Sequence, residues 1–235
     1  MRLLRRTRNF VRKVRAGLTP FGENVSPEVP NDLFVAHLSI YAFAAPHARG
    51  GRVLDIGSGA GYGSEFLRNA GANEVIGLDL DPRNVRYAKR HYPNVAFQQA
   101  DAEKLPRDLG TFDLILASNV LEHLHDVAPA LETMRQMTRG PVVIAVPPIV
   151  DEASMRANEA IPYHRSNHMV ERWIDMLQQR FGTVAAYRHF PRPGVQPDFS
   201  DPFPSRLTPA DFLFEEVQPH ELKTKETLTA LFVAR

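Results

Sequence analysis

The sequence predicts an α/β fold in which a mostly parallel, seven-stranded sheet carries helices on both faces. Short apolar segments alternate with amphipathic ones from residue 52 to residue 146, which is typical of parallel strands joined by crossover helices. The segment 112–118 is apolar almost throughout, as expected for a strand that is buried on both faces. A glycine-rich segment follows the first strand, where doubly wound sheets bind their ligands.

The spacing of apolar residues predicts the following helices and strands. A helix over 32–45 is expected to end at Pro46. Strands are predicted at 52–56, 74–79, 95–99, 112–118, 141–146, 183–190 and 227–233. Further helices are predicted at 64–70, at 82–92, after Asp126 and around Trp173.

The composition is that of one globular domain, with 235 residues, 43% hydrophobic residues and a formal net charge of +1. The small net charge offers no long-range attraction for nucleic acid. Cysteine is absent, which excludes disulfides and thiolate metal sites. No apolar run reaches the roughly 18 residues that suggest a membrane-spanning helix. We therefore expect a cytoplasmic protein without a nucleic-acid partner, and the sequence does not indicate its oligomeric state.

Residues 1–31 are predicted to be a basic tail and linker, and residues 32–235 one domain. The first 15 residues hold seven arginines and lysines and no acid. Such a segment can lie as an amphipathic helix on an anionic membrane surface, or it can be a solvated terminus. The sequence leaves both interpretations open, so peripheral membrane contact remains an expectation to test.

The glycine-rich segment 53–63 reads Val-Leu-Asp-Ile-Gly-Ser-Gly-Ala-Gly-Tyr-Gly. Glycine allows the backbone to take positive φ and to approach a ligand closely. The dinucleotide pattern G-x-G-x-x-G fails in both registers, because Tyr62 and Ser64 stand where its third glycine would be. A P-loop is also excluded, since no Gly-Lys-Ser/Thr follows.

This segment resembles motif I of the class I S-adenosylmethionine-dependent methyltransferases, in which an acid stands two positions before G-x-G-x-G. The resemblance implies a Rossmann-like fold, S-adenosylmethionine as the cofactor and S-adenosylhomocysteine as the product. Backbone N–H groups of the loop suit the carboxylate of the methionine moiety, and the acid suits its ammonium group. The cofactor-binding residues implied here are Asp55, Gly57, Ser58, Gly59, Gly61 and Tyr62.

Two acids follow in the order that the resemblance requires. Asp79 ends the second predicted strand, 22 residues after Gly57, and its carboxylate suits the two ribose hydroxyls, with Leu80 beside it. Asp79 could instead cap the next helix, a role that Asp81 could also fill. By the resemblance, Asp101 accepts a hydrogen bond from the adenine amino group and the Ala102 backbone lies alongside.

The segment 37–44, His-Leu-Ser-Ile-Tyr-Ala-Phe-Ala, resembles an H-L-x-x-Y-x-F-A pattern of bacterial methyltransferases encoded with cell-surface glycan genes. In that group the pattern belongs to an N-terminal lid, which here corresponds to residues 32–48. The resemblance implies that Tyr41 covers the methyl donor and helps to exclude water. An amphipathic helix alone would also explain Tyr41.

Polar residues follow the fourth predicted strand, where ligands gather in this fold. Asn119 is expected to face the cofactor, while Glu122 and His123 are the candidate catalytic residues. A hydroxyl acceptor needs a base of near-neutral pKa, and His123 is the best candidate. His123 could equally pack in the loop and bond only to backbone.

The same segment is similar to the E-x-x-E-H stretch of ubiquinone-pathway O-methyltransferases, in which the acids and histidine are linked to a divalent metal. Here Asn119 stands at the first position and offers only a neutral oxygen, which weakens affinity. We therefore predict that the protein binds no metal. In the alternative, Glu122 and His123 would be the ligands of a divalent metal ion.

Residues 151–168 and 191–225 are predicted to be insertions on the acceptor side. The segment 158–168 resembles the N-P-x-H segment of the glycan-linked group, but two residues are interposed before Pro162. Its candidate substrate residues are Tyr163, His164 and Arg165, which could grip a sugar, carboxylate or phosphate. Ser166 or Asn167 could simply cap the helix around Trp173.

Taken together, these features predict methyl transfer to an oxygen of a sugar, a cell-surface glycan or a small natural product. An N-methyltransferase acting on an amino sugar or small amine is the alternative within enzymes, because an amine needs no strong base. A non-catalytic protein that binds S-adenosylmethionine is the alternative outside enzymes.

Overall fold

A computed structural model describes residues 25, 27–201 and 203–235. The basic segment at the start of the chain therefore lies outside the described residues. The helices are α1 Asp32–Ala48, α2 Tyr62–Asn69, α3 Pro82–His91, α4 Ala128–Met137, α5 Glu152–Glu159 and α6 Val170–Phe181. The strands are β1 Arg52–Ile56, β2 Glu74–Asp79, β3 Ala96–Gln99, β4 Leu114–Ser118, β5 Val142–Val146, β6 Val184–Pro191, β7 Phe212–Val217 and β8 Thr229–Ala234.

The strands form one sheet in the order β3-β2-β1-β4-β5-β8-β6-β7. Strands β1 to β5 are parallel, whereas β8 pairs antiparallel with β5 and β6, and β7 pairs antiparallel with β6. This confirms the predicted α/β class with a mostly parallel doubly wound core. The sheet has eight strands rather than the predicted seven.

The additional strand is β7, at the sheet edge within the predicted 191–225 insertion. Its sequence, Phe-Leu-Phe-Glu-Glu-Val, lacks strict apolar–polar alternation. Cross-strand polar contacts hold it instead: Arg188 Nε donates to Glu215 at 2.6 Å, and the Tyr187 hydroxyl donates to Glu216 at 3.0 Å. An edge strand held by such pairs gives a weak periodicity signal, which explains why the sequence pattern missed it.

The strand order changes direction at β1, which lies between β2 and β4. In register, Ile56 at the end of β1 faces Leu78 on one side and Ala117 on the other. The loops that follow these three strands therefore meet at one edge of the sheet. Such a switch point is where open α/β sheets bind ligands.

Helix α1 begins at the N-cap Asn31, whose side chain accepts from the Phe34 N–H, and it continues through Pro46 to Ala48. Pro46 therefore does not end the helix as predicted, and the helix ends at residue 48, the bound predicted for the lid. Ala45 and Ala48 are buried, and their packing compensates for the one N–H donor that proline lacks.

The capping role considered for Ser166 and Asn167 was also wrong. Helix α6 has Met169 as its N-cap, with no side-chain cap. The Ser166 hydroxyl instead donates to the Leu124 carbonyl oxygen at 2.8 Å, and the Asn167 amide donates to the His164 carbonyl oxygen at 3.0 Å.

Helix α5 was not predicted, because it buries none of its residues and so shows no apolar face. Its start is nonetheless marked by a capping box between Asp151 and Ser154. Among the described residues, no helix is long and apolar enough to cross a membrane.

Candidate functional site

The turn after β1 places three glycines in the left-handed region, with φ of 71° at Gly57, 54° at Gly59 and 86° at Gly61. They serve different purposes. A Cβ on Gly61 would lie 2.7 Å from Ala88 and from Phe97, so this glycine allows helix and sheet to pack closely. A Cβ on Gly59 would meet nothing within 4 Å, and the backbone there faces open space.

Two cavities meet at this turn and share Gly57, Asp79, Val120 and His123. The first, of about 230 Å³, is lined by Val25, His37, Tyr41, Gly57, Ser58, Gly59, Ala60, Tyr62, Asp79, Asn84, Ser118, Asn119, Val120 and His123. The second, of about 500 Å³, is lined by Ile56, Gly57, Leu78, Asp79, Leu80, Ala100, Asp101, Ala102, Glu103, Val120, His123, Leu124, His125, Tyr163 and Arg165. Together they form an elongated site along the switch point of the sheet.

The first cavity suits the methionine moiety of S-adenosylmethionine. Ser58 is 3% exposed, and its hydroxyl has no hydrogen-bond partner among the described residues although it lines this cavity. A buried hydroxyl of this kind calls for a ligand or water partner. The open space at Gly59 and the nearby Asn119 complete a polar wall that fits the zwitterionic end of the cofactor.

Among the described residues, Asn119 is the one non-glycine residue with a positive φ, which is 51°. It directly follows β4 and lines the first cavity. Strained backbone at such a position is common in binding sites.

Asp79 joins the two cavities, as its predicted contact with ribose requires. Its Oδ2 accepts from the Gly59 N–H at 2.8 Å, and its Oδ1 accepts from the Asp81 N–H at 2.8 Å and from the Asn84 amide at 3.1 Å. Partial burial raises the pKa of Asp79, and these bonds oppose the shift. The capping role belongs to Asp81, whose side chain accepts from the Arg83 N–H.

The side of the second cavity formed by Leu80, Asp101 and Ala102 suits the adenosine moiety. Leu80 is 66% exposed and offers an apolar surface at its wall, while Asp101 and Ala102 line it after β3. The Asp101 carboxylate also accepts from the Glu103 N–H at 2.9 Å. This bond fixes the carboxylate at the start of a short 3₁₀ helix over Ala102–Lys104.

Asp55 lies behind the glycine turn and lines neither cavity. It is fully buried, accepting from the Ser64 hydroxyl at 2.5 Å and from the Tyr41 hydroxyl at 3.3 Å. Burial raises the pKa of Asp55 to about 7. Asp55 therefore connects the turn, α2 and the lid helix, and it positions the Tyr41 ring, which does line the first cavity.

The candidate catalytic pair lies in a 3₁₀ helix over Leu121–His123, just after β4. His123 lines both cavities, and its Nδ1 lies 3.2 Å from the Tyr163 carbonyl oxygen. Glu122 lines neither cavity and is 3% exposed. His123 thus lies where the two cavities meet, whereas Glu122 lies outside both.

The predicted substrate residues are only partly brought to the site. Tyr163 and Arg165 line the second cavity, but His164 does not, and its Nδ1 lies 3.0 Å from Asn158 Oδ1. No described residue of 191–225 lines either cavity. That segment instead contacts the start of α1, where the Asp198 N–H donates to Asp32 at 2.7 Å.

Several lining residues were not predicted, and two are histidines. His37 lies one helical turn before Tyr41 on α1, so the helical spacing could have indicated it. Burial lowers the pKa of His37 to about 4, which keeps its ring neutral at pH 7. His125 also lines the second cavity, and its ring contacts Arg165; no local pattern marks this position.

Comparison with known proteins agrees with this geometry. Residues 54–144 match the family model described as a methyltransferase domain. A "probable S-adenosylmethionine-dependent methyltransferase" of Mycobacterium tuberculosis is 29% identical over 153 residues, which cover 63% of this chain and 56% of that protein. The ubiquinone biosynthesis O-methyltransferase of Methylocella silvestris is 39% identical over 90 residues, covering 37% of this chain and 35% of that protein.

Solved structures show the same fold. Magnesium protoporphyrin IX methyltransferase from Synechocystis, with bound S-adenosylhomocysteine, has a TM-score of 0.57 at 18% identity and covers 87% of this chain and 85% of its own. A methyltransferase from Mesorhizobium loti has a TM-score of 0.58 at 19% identity, covering 85% and 98%. The segment 54–144 thus matches the methyltransferase domain family, and the chain shares its fold with solved methyltransferases.

Proposed function

We propose that the protein transfers the methyl group of S-adenosylmethionine to a hydroxyl oxygen of a sugar, in a cell-surface glycan or a small natural product. The observation that carries this proposal is the position of His123. This residue lines the cavity that fits the methionine moiety and also the wider cavity that reaches Tyr163 and Arg165. A base at that junction is within reach of an acceptor hydroxyl that approaches the methyl group.

The chain's own residues divide the work between holding the donor and activating the acceptor. The cofactor, when bound, supplies an electrophilic methyl group on a positively charged sulfur. Asp79 and the Gly59 backbone hold the donor, and the Tyr41 ring covers it and excludes water. His123 accepts the proton of the acceptor hydroxyl through Nε2, since its Nδ1 lies on the Tyr163 carbonyl oxygen.

The side of the second cavity formed by Tyr163 and Arg165 supports a polar, ring-shaped acceptor. Tyr163 is 56% exposed and offers an aromatic face, while the Arg165 guanidinium offers several hydrogen-bond donors. Both side chains belong to the loop between α5 and α6, which hydrogen-bonds to the His123 segment. The acceptor proposed from the sequence therefore has both an apolar face and polar contacts available to it.

The relatives support an oxygen acceptor only in general terms. One of them is named as an O-methyltransferase of ubiquinone biosynthesis, whose acceptor belongs to a different class of molecule. The chain spans 56% of the length of the mycobacterial relative. The choice of a sugar as the acceptor therefore rests on the residues of this chain and not on its relatives.

The test compares His123→Ala with His91→Ala, an exposed histidine at the end of α3 that lines neither cavity. A mass-spectrometric screen of glycan, natural-product and amine acceptors first identifies a methylated product. For an oxygen acceptor, His123→Ala lowers kcat by about a hundredfold or more, and the affinity for S-adenosylmethionine stays unchanged. His91→Ala keeps kcat within a few-fold. A methylated amine together with a mild effect of His123→Ala would replace the proposal by N-methylation.

A further inference from the structure

A cluster of three potential metal ligands lies beside the junction of the two cavities, which His123 lines. One ligand atom from each of Glu122, His123 and His164 can be chosen so that all three lie within 4.8 Å of one another. The first two belong to the 3₁₀ helix after β4, and His164 belongs to the loop between α5 and α6. The two segments are held together because the Arg165 and Ser166 N–H groups both donate to the Glu122 carbonyl oxygen, at 2.7 and 2.9 Å.

Both histidines are oriented by a carbonyl oxygen at Nδ1. His123 Nδ1 lies 3.2 Å from the Tyr163 backbone oxygen, and His164 Nδ1 lies 3.0 Å from Asn158 Oδ1. When Nδ1 donates to a carbonyl oxygen, a neutral imidazole carries its lone pair on Nε2. Metal-ligating histidines are generally oriented in this way, with the second ring nitrogen bonded to a carbonyl or carboxylate.

The third member is a carboxylate that is 3% exposed. A buried carboxylate is stable where it meets a cation, hydrogen-bond donors or a metal. The rings of His123 and His164 lie beside it, with their centroids 5.1 Å apart at an angle of 63°. The ligand set is therefore two imidazoles and one carboxylate, supplied from two different loops.

We propose that Glu122, His123 and His164 bind a divalent transition-metal ion, with zinc as the best fit. Two imidazoles and one glutamate form a known catalytic zinc set, which leaves at least one coordination position open. Magnesium prefers oxygen ligands and is disfavoured by two nitrogen donors. The ligand atoms need to approach one another to about 3.3 Å for Zn–N bonds of about 2.0–2.1 Å, which rotation of the two half-buried histidine side chains toward Glu122 would bring about.

His164 was predicted from the sequence as a substrate residue, and Asn119 stood where an acidic ligand would be needed. The structure supplies the third ligand from a distant part of the chain, 41 residues after His123. This site therefore consists of one carboxylate and two imidazoles, whereas the E-x-x-E-H stretch offers two carboxylates and one imidazole from neighbouring residues.

The role of the metal rests on the proposed methyl transfer to oxygen, in which the ion would take over from His123 the task of promoting loss of the acceptor proton. Its open position takes the acceptor hydroxyl, whose pKa the ion lowers, so that the proton passes to solvent water. The oxygen then forms the bond to the methyl carbon while the methyl–sulfur bond breaks, and its electron pair stays on a sulfur that becomes neutral. Since zinc can expand to five-coordination, this site favours acceptors with two adjacent oxygen atoms, such as the vicinal hydroxyls of a sugar.

This assignment changes the part played by His123 from base to metal ligand. A base requires His123 alone, whereas a metal site requires His164 to the same degree. The two accounts can therefore be separated by His164→Ala, without knowledge of the acceptor.

The test titrates Co²⁺ into the full-length, chelator-treated protein and follows the visible d–d absorption. The wild-type protein is expected to bind one Co²⁺, which Zn²⁺ displaces. His164→Ala and Glu122→Gln are each expected to weaken binding by at least about a hundredfold, and Asn158→Ala, which removes the outer partner of His164, by about 10–100-fold. His125→Ala, the matched histidine outside the cluster, retains the wild-type affinity for Co²⁺.

Folding of each variant is checked by its affinity for S-adenosylmethionine, which should stay within about twofold of wild type. Absence of Co²⁺ absorption in the wild-type protein would overturn the metal site, as would equal Co²⁺ affinity of wild type and both cluster variants. Methyl transfer that persists in such a protein would leave the proposed function standing. Metal binding without any binding of S-adenosylmethionine would support the site and overturn the proposed function instead.

Discussion

The hydroxyl of Tyr41, on the helix that precedes the sheet, donates a hydrogen bond to the buried carboxylate of Asp55 at 3.3 Å. The Tyr41 ring also rests on Gly63, where a Cβ would lie 2.1 Å from its Cζ. Through this pair the lid helix is joined to the glycine turn at the donor end of the site. Four predictions follow from the contacts around this turn.

Replacing Tyr41 by Phe removes the hydroxyl and leaves the ring in place. We expect the free energy of unfolding to fall by about 1–2 kcal/mol, because a buried carboxylate loses a donor. The affinity for S-adenosylmethionine should fall by a few-fold as the lid helix loosens. Urea unfolding and calorimetric titration measure the two effects. Unchanged values in both would show that the hydrogen bond does not couple the lid to the turn.

Asp55 should make the stability of the protein depend on pH. Burial raises its pKa from 3.8 to about 7, so the folded state holds a proton that the unfolded state releases. Its stabilising contribution is fully present below about pH 4 and is lost as the pH rises to about 7. The wild type should therefore lose stability relative to Asp55→Asn across this window, as measured by urea unfolding at a series of pH values. A difference that is independent of pH would contradict the assignment.

Gly59→Ala should weaken the binding of S-adenosylmethionine by about tenfold or more, equivalent to about 1.4 kcal/mol. The added methyl group would project into the space that the methionine moiety needs. Gly50→Ala is the matched control, because Gly50 has φ of 68° and also has no atom within 4 Å of a built Cβ. Both variants should lose about 1–2 kcal/mol of stability through left-handed strain, but only Gly59→Ala should lose affinity. Equal affinities in the two variants would place the donor elsewhere.

Asp79→Asn should weaken the binding of S-adenosylmethionine by about tenfold to a hundredfold, because hydrogen bonds from the ribose hydroxyls to a charged group contribute about 1.5–3 kcal/mol. Asp81→Asn, two residues further on, removes the same charge. Asparagine can still cap α3 there, so this variant should bind the cofactor like the wild type. Calorimetric titration distinguishes the two. A similar loss in both variants would indicate a general effect of charge rather than contact with the ribose.

The residues that the sequence patterns assigned to the cofactor lie close together in the structure where they stand next to strand ends. Gly57, Ser58 and Asp79 follow or end two neighbouring parallel strands, and register brings those ends together. Asp55 is the exception. It belongs to the same motif, yet its position inside β1 directs it into the core, and strand alternation alone could not reveal the tyrosine that binds it.

The acceptor side was predicted less completely because it is assembled from distant segments. His164 reaches Glu122 and His123 through backbone bonds between two loops, and no local spacing encodes that contact. The strand β7 was missed for a related reason, since the polar side chains that it pairs, such as Glu215 with Arg188, meet their partners on β6. Local periodicity indicates which face of a single helix or strand is buried. The contacts of His164 and of β7 depend instead on a second segment that is distant in sequence.

The most direct test of the account is calorimetric titration of the full-length protein with S-adenosylmethionine. We predict binding at a single site, competition by S-adenosylhomocysteine, and a marked loss of affinity in Asp79→Asn but not in Asp81→Asn. Absence of binding at millimolar S-adenosylmethionine by a folded wild-type protein would contradict the assignment of the cavity at Gly57 and Asp79 as the methyl-donor site.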